Sequence, residues 1–163
     1  MQDYIKKELF CLNYYEYTFN NIDNHTLSEE ILEQQIRMSD NPDICLFEDT
    51  EFVPKKGSVG ESVYNMFVDI FEKKDRKIVK HWTQIHQPLE STSLHDHYGC
   101  TWGFVYYVKV PKGAGNLVFE LEKMTSIIQP CEGKMLIFPA WLKHKVSKNM
   151  SNDIRISWAG NLC

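Results

Sequence analysis

The chain has 163 residues, with 18 basic and 22 acidic side chains and a net charge of −4. That balance, with no long Lys/Arg cluster, gives no support to a nucleic-acid footprint, and the pairs Lys6-Lys7, Lys55-Lys56 and Lys73-Lys74 read as solvated faces. No stretch approaches the ~18 apolar residues of a membrane span, and the basic pair near the start is followed by no apolar run of the signal-peptide kind.

Cys11, Cys45, Cys100, Cys131 and Cys163 are odd in number and widely spaced, with no Cys-x-x-Cys. A disulfide framework or zinc ribbon is therefore not expected, and a cytoplasmic location fits best. The length suits one domain spanning residues 1–163, large enough to bury roughly 68–70% of its unfolded surface.

In chain order, residues 8–20 carry β-formers and read as one or two strands, with Tyr14, Tyr15, Tyr17 and Phe19 as sheet residues. Thr26-Leu27-Ser28-Glu29 fits a capping box, and Leu27, Ile31, Leu32 and Ile36 then recur at helical spacing, predicting a helix over 27–38. Residues 40–57 read mostly as loop. A second helix is expected over 59–74, with Val59, Val63, Phe67, Ile70 and Phe71 on one side.

From Ile78 the pattern changes to strands. They are predicted at 78–86, 101–110, 116–121, 125–129, 135–138, 144–147 and 154–158, with a turn at Lys112-Gly113-Ala114-Gly115-Asn116. Helices followed by closely spaced strands indicate an α+β chain. Residues 1–77 would brace the sheet, and residues 78–161 would form a double-stranded β-helix, the jelly-roll or cupin-like barrel.

The chemistry concentrates in that second half. His95 and His97 flank Asp96, and residues i and i+2 of a strand share a face. His144 follows Phe138-Pro139-Ala140-Trp141, and on another strand it can close a three-cornered metal site. Arg155 and Ser157 also share a strand face, and an arginine fork matches a carboxylate.

Asp96 leaves an alternative open. The facial triad of non-haem iron enzymes uses two histidines and a carboxylate, and local bending would let Asp96 bind while a neighbouring histidine turns away. Otherwise His97 takes the carboxylate's place. His25 falls in a polar loop. His81 and His86 differ in strand parity, so at most one of them faces the barrel interior.

Residues 80–161 resemble the iron(II)/2-oxoglutarate-dependent oxygenases, and are most similar to a bacterial and phage branch with a His-x-His signature. The resemblance rests on Trp82; His95-Asp96-His97; Val105-Tyr106-Tyr107-Val108 leading to Pro111; residues 115–119; Ile128-Gln129-Pro130 with Gly133; Leu136 through Val146; and Arg155-Ile156-Ser157. Tyr98 stands where proline is common in that branch, and Gly103-Phe104 replaces its Ser-Gly. The resemblance implies iron(II) on His95, His97 and His144, and 2-oxoglutarate reaching Arg155 and Ser157. It implies an enzyme that hydroxylates a small molecule or peptidyl residue with O2, releasing succinate and carbon dioxide. A cupin-type metalloenzyme that does not use 2-oxoglutarate, and a non-catalytic jelly-roll binding protein, are the alternative readings.

Overall fold

The computed structural model describes residues 4–9, 12–39 and 51–163. The chain opens with the hairpin β1 (Tyr4–Leu9) and β2 (Leu12–Thr18), followed by helices α1 (Asn24–Ser39) and α2 (Val59–Glu72). Eight strands come next: β3 (Ile78–His86), β4 (Thr92–His95), β5 (Trp102–Lys109), β6 (Leu117–Leu121), β7 (Met124–Ile128), β8 (Lys134–Pro139), β9 (His144–Val146) and β10 (Arg155–Leu162). They form an antiparallel six-stranded sheet, β1-β2-β8-β5-β10-β3, facing a four-stranded sheet, β4-β9-β6-β7. This is the double-stranded β-helix expected from the sequence, with the two helices packed on the outside of the larger sheet.

Helix α1 begins earlier than the predicted capping box. Asp23 is its cap, accepting the Thr26 backbone N–H at 3.0 Å and the Thr26 hydroxyl at 2.8 Å. Thr26 therefore serves as the third helical residue, because an aspartate three residues upstream is the stronger acceptor for a bare helix-start N–H. Helix α2 starts where predicted, with Ser58 Oγ accepting the Glu61 N–H. Glu30 of α1 reaches across to accept the Val59 and Gly60 N–H groups at 3.0 and 2.8 Å. A carboxylate on the positive end of α2 locks the helices together. The side chain of Ile36 and most of the predicted 40–57 loop lie outside the described residues.

Strand alternation divides the buried side chains into two cores. On one face of the larger sheet, Phe104, Tyr106, Met135, Ile137, Ile156 and Trp158 meet Leu27, Ile31, Val63, Phe67 and Phe71 of the helices. On the other, Val105, Tyr107, Leu136 and Phe138 meet Leu117, Phe119 and Val146 of the smaller sheet inside the barrel. Strand β5 is buried on both faces, which explains its unbroken apolar run. Its neighbour β10 extends to Leu162, beyond the predicted end at 158, because Gly160 lets it pass under Phe104: a Cβ there would strike that ring and the Lys80 carbonyl.

Cys100, Cys131 and Cys163 are free thiols, while Cys11 and Cys45 lie outside the described residues. Among the described residues no helix is long and apolar enough to cross a membrane.

Phe67 has no exposed surface and touches the rings of Phe19, Phe71, Phe104, Tyr106 and Trp158. Phe67→Ala is expected to cost about 3–5 kcal/mol, read as a lower urea midpoint with an unchanged slope.

Candidate metal centre and active-site cavity

The barrel encloses an open cavity of about 670 Å³. His95, His97 and His144 line its outer part, and Arg155 and Ser157 line its floor. One nitrogen from each histidine lies within 4.8 Å of the others. His95 ends β4 and pairs directly with His144 at the start of β9.

His97 is not on a strand, so the alternation argument does not account for its position. Strand β4 stops at His95, and the chain then turns through residues 96–101. The His97 N–H donates to Ala140 O at 2.9 Å, and its carbonyl accepts the Cys100 N–H at 3.2 Å. These bonds swing the His97 ring back over the cavity, 5.1 Å from the His95 ring. Gly103 makes room for the Phe138 ring beside the cluster: a Cβ there would lie 3.0 Å from it. Asp96 points away, exposed and outside the cavity lining.

Hydrogen bonds fix the tautomers. Nδ1 of His95 lies 2.8 Å from Ser93 O, and Nδ1 of His144 lies 2.8 Å from Leu142 O. A carbonyl only accepts, so both Nδ1 atoms carry a proton and each Nε2 is the nitrogen left to bind a metal. His97 Nε2 stands 3.2 Å from His144 Nε2. Metal–imidazole bonds of about 2.1 Å at right angles would hold two nitrogens about 3 Å apart. The neutral imidazoles, their carbonyl-bound Nδ1 atoms and this spacing together suit a divalent transition metal. Burial pulls the pKa values of His97 and His144 down to about 4, which keeps both lone pairs free near neutrality.

At the floor, Arg155 is 1% exposed yet has few partners. One of its terminal nitrogens lies 3.1 Å from His86 Nδ1 and 3.4 Å from Ser157 Oγ, and the guanidinium sits over the Tyr107 ring at 5.4 Å. Arg155 Nε and Tyr107 Oη are buried without a hydrogen-bond partner. Burial pushes the Tyr107 phenol up to about 12, so it is a neutral donor. A buried cation and two unsatisfied donors around one spot fit an incoming carboxylate.

His86 and Tyr107 pack around Arg155 beneath the floor, a role the sequence reading did not assign to either. Arg155 can only donate, so it fixes His86 Nδ1 as the acceptor, and His86 Nε2–H then donates to Thr92 Oγ1 at 2.8 Å. Asn149 is fully buried and ties the floor together, donating to the carbonyls of His86 and Asp153 at 3.0 and 2.8 Å. Tyr107 was visible in Val105-Tyr106-Tyr107-Val108, but which tyrosine turns inward depends on register. His81 faces the other way, as its parity predicts: it accepts the Trp158 indole N–H at 3.1 Å on the helix side.

Residues 119–161 match the family described as "Putative 2OG-Fe(II) oxygenase". No curated protein matches the sequence. The fold is shared with the viral collagen prolyl hydroxylase of Paramecium bursaria Chlorella virus-1, solved with 2OG, at 14% identity and a TM-score of 0.65 over 91% of this chain and 94% of that one. A prolyl-4-hydroxylase of Pseudomonas putida aligns at 13% identity and a TM-score of 0.62, covering 91% of this chain and 86% of the other. A non-heme α-ketoglutarate-dependent carbocyclase from nogalamycin biosynthesis aligns at 10% identity and a TM-score of 0.65, covering 93% and 79%. The chain thus has the fold of the 2OG-Fe(II) oxygenases and their sequence pattern over residues 119–161.

Burial and the neighbouring Arg155 hold the His86 pKa at about 4, against an ordinary 6.5. His86 is therefore neutral when folded and takes up a proton on unfolding between those values. Its contribution to stability is complete above about pH 6.5 and is lost as pH falls toward 4. For the metal-free protein the urea midpoint should fall between pH 6.5 and 5; His97 and His144, also held near 4, share that slope, so His86→Gln should lessen it without removing it.

Proposed function

We propose that this protein is an iron(II)- and 2-oxoglutarate-dependent oxygenase of the hydroxylase type, with His95, His97 and His144 as the metal ligands. The observation that carries the reading is the joint presence, in one cavity, of three converging neutral imidazoles and an under-satisfied buried arginine. A cupin-type metal site or a plain binding barrel gives no reason for the arginine.

In this reading the distal carboxylate of 2-oxoglutarate lies between Arg155, Tyr107 and Ser157. Arg155 supplies charge and its free Nε–H, and the Tyr107 phenol supplies a second donor. His86 holds the other edge of the guanidinium in place. The keto-acid end of the co-substrate would lie at the three histidines, which would hold iron(II) beside it. Iron(II), when bound, supplies O2 activation coupled to loss of carbon dioxide from 2-oxoglutarate, yielding succinate and a hydroxylated product. Leu117, Phe138 and Val146 form the apolar part of the wall between the histidines and Arg155. The prime substrate, a small molecule or peptidyl residue, enters through the open end of the cavity.

Alanine at His95, His97 or His144 should abolish stoichiometric iron binding while leaving the far-UV spectrum unchanged. Full iron affinity in His97→Ala, with its loss in Asp96→Ala, would reassign the third ligand to Asp96.

Arg155→Ala should weaken 2-oxoglutarate binding roughly 10-fold or more, since a charge-assisted pair contributes about 1.5–3 kcal/mol, and should leave the metal in place. The reading as a whole is tested by succinate release from the iron-loaded protein with 2-oxoglutarate and O2. A loaded protein that binds 2-oxoglutarate and releases none, across peptides and metabolites, would favour a sensing role.

A further inference from the structure

Strand β3 acts as a ruler along the cavity. Its inward residues are His86, Gln84, Trp82 and Lys80, paired in register with Arg155, Ser157, Ala159 and Asn161 of β10. His86 marks the floor, where it touches Arg155. Trp82 marks the depth of the metal cluster, its ring 5.5 Å from the His97 ring. Lys80 lies two residues further out, about 7 Å along the strand, with its ammonium over the Trp82 ring at 5.7 Å. Given the proposed function, 2-oxoglutarate fills the stretch from Arg155 to the metal, so Lys80 stands on the far side, where the prime substrate must sit.

The charge around that position is one-sided. The cavity lining holds two cations, Lys80 and Arg155, and no aspartate or glutamate among the described residues. No carboxylate pairs with Lys80 among them either. Neutral histidines do not offset a divalent metal, as a carboxylate ligand would. The whole chain is net negative, so this positive pocket is local. Opposite Lys80, the Asn161 side-chain oxygen is buried without a hydrogen-bond donor. Asn161 is not part of the cavity lining, so the mouth offers one compact cation, Lys80.

We propose that the prime substrate is a carboxylate-bearing molecule whose acid group is received by Lys80 at the cavity mouth. A single ammonium matches one carboxylate; among the described residues the mouth has no arginine fork or second cation to hold a phosphate dianion. The proposal rests on the oxygenase reading, since that reading puts 2-oxoglutarate on the Arg155 side.

The test uses the full chain loaded with manganese(II) and saturating 2-oxoglutarate. Ligand-observed NMR is run on a panel of N-acetyl amino acids and their primary amides, so that each acid has a neutral twin of the same shape. We expect acids to bind at least about 10-fold more tightly than their amides. Lys80→Met should remove the difference, and Lys80→Glu should reverse it in favour of the amides. Equal binding of acids and amides by the wild type, no binding by any acid, or a preference that survives Lys80→Met would overturn the proposal. Titration of 2-oxoglutarate on the same sample separates the two readings. If it fails to bind, the oxygenase reading fails and takes this proposal with it; if it binds and the acid preference is absent, only the assignment of Lys80 fails.

Discussion

The two-residue period of the pleat is the constraint on which this molecule is built. The larger sheet has to bury both of its faces, one under the helices and one inside the barrel. Strands β5, β8 and β10 therefore send alternate side chains to two different environments. Phe104 and Tyr106 go to the helix core, and Val105 and Tyr107 to the barrel. On β10, Ile156 and Trp158 seal the helix side, while Arg155, Ser157 and Ala159 line the cavity. A slip of one residue in β10 would bury Ile156 at the cavity floor and thrust the arginine among aromatic rings.

A guanidinium at 1% exposure is costly unless it is paired and hydrogen-bonded. The fold meets part of that cost with a neutral histidine, a serine and the face of Tyr107, and supports them from behind with Thr92 and Asn149. It leaves Arg155 Nε and Tyr107 Oη unmet. The neighbours fix the direction of the arginine without neutralising it, so its remaining donors are held ready for an acidic ligand. The same design recurs at the histidine cluster, where backbone carbonyls occupy the Nδ1 atoms of His95 and His144 and their Nε2 atoms face inward.

Charge sets this cavity apart from a two-histidine, one-carboxylate centre. With Asp96 turned out to solvent, three neutral imidazoles surround the metal position, and the remaining charged groups of the lining are cations. On the proposed reading both ends of an acidic co-substrate are attracted, and Lys80 adds a cation at the mouth. Low-dielectric walls of Phe138, Leu117 and Val146 make each of these charges count for more than it would in water.

Local order was legible in the chain. The helical spacing of Val63, Phe67 and Phe71, the β-rich runs after Ile78 and the turn at residues 112–116 all lie where the pattern puts them, because side-chain period and turn chemistry act over a few residues. The types at the site, His-x-His, a later His and an Arg-x-Ser, were equally plain. Short-range pattern did not reveal the brief strand β4, the extension of β10 past Trp158, or the cap of α1 at Asp23, each decided by a partner elsewhere in the fold. Nor could it tell that His97 reaches the cavity from a loop tethered to Ala140 and not from a strand, that Tyr107 and not Tyr106 faces Arg155, or that His86 is the inward histidine of β3. These depend on register and on hydrogen bonds between segments tens of residues apart. The sequence by itself determined which residues and which periods were available; tertiary pairing decided which of them share one cavity, since only packing brings β3, β4, β9 and β10 to a common depth.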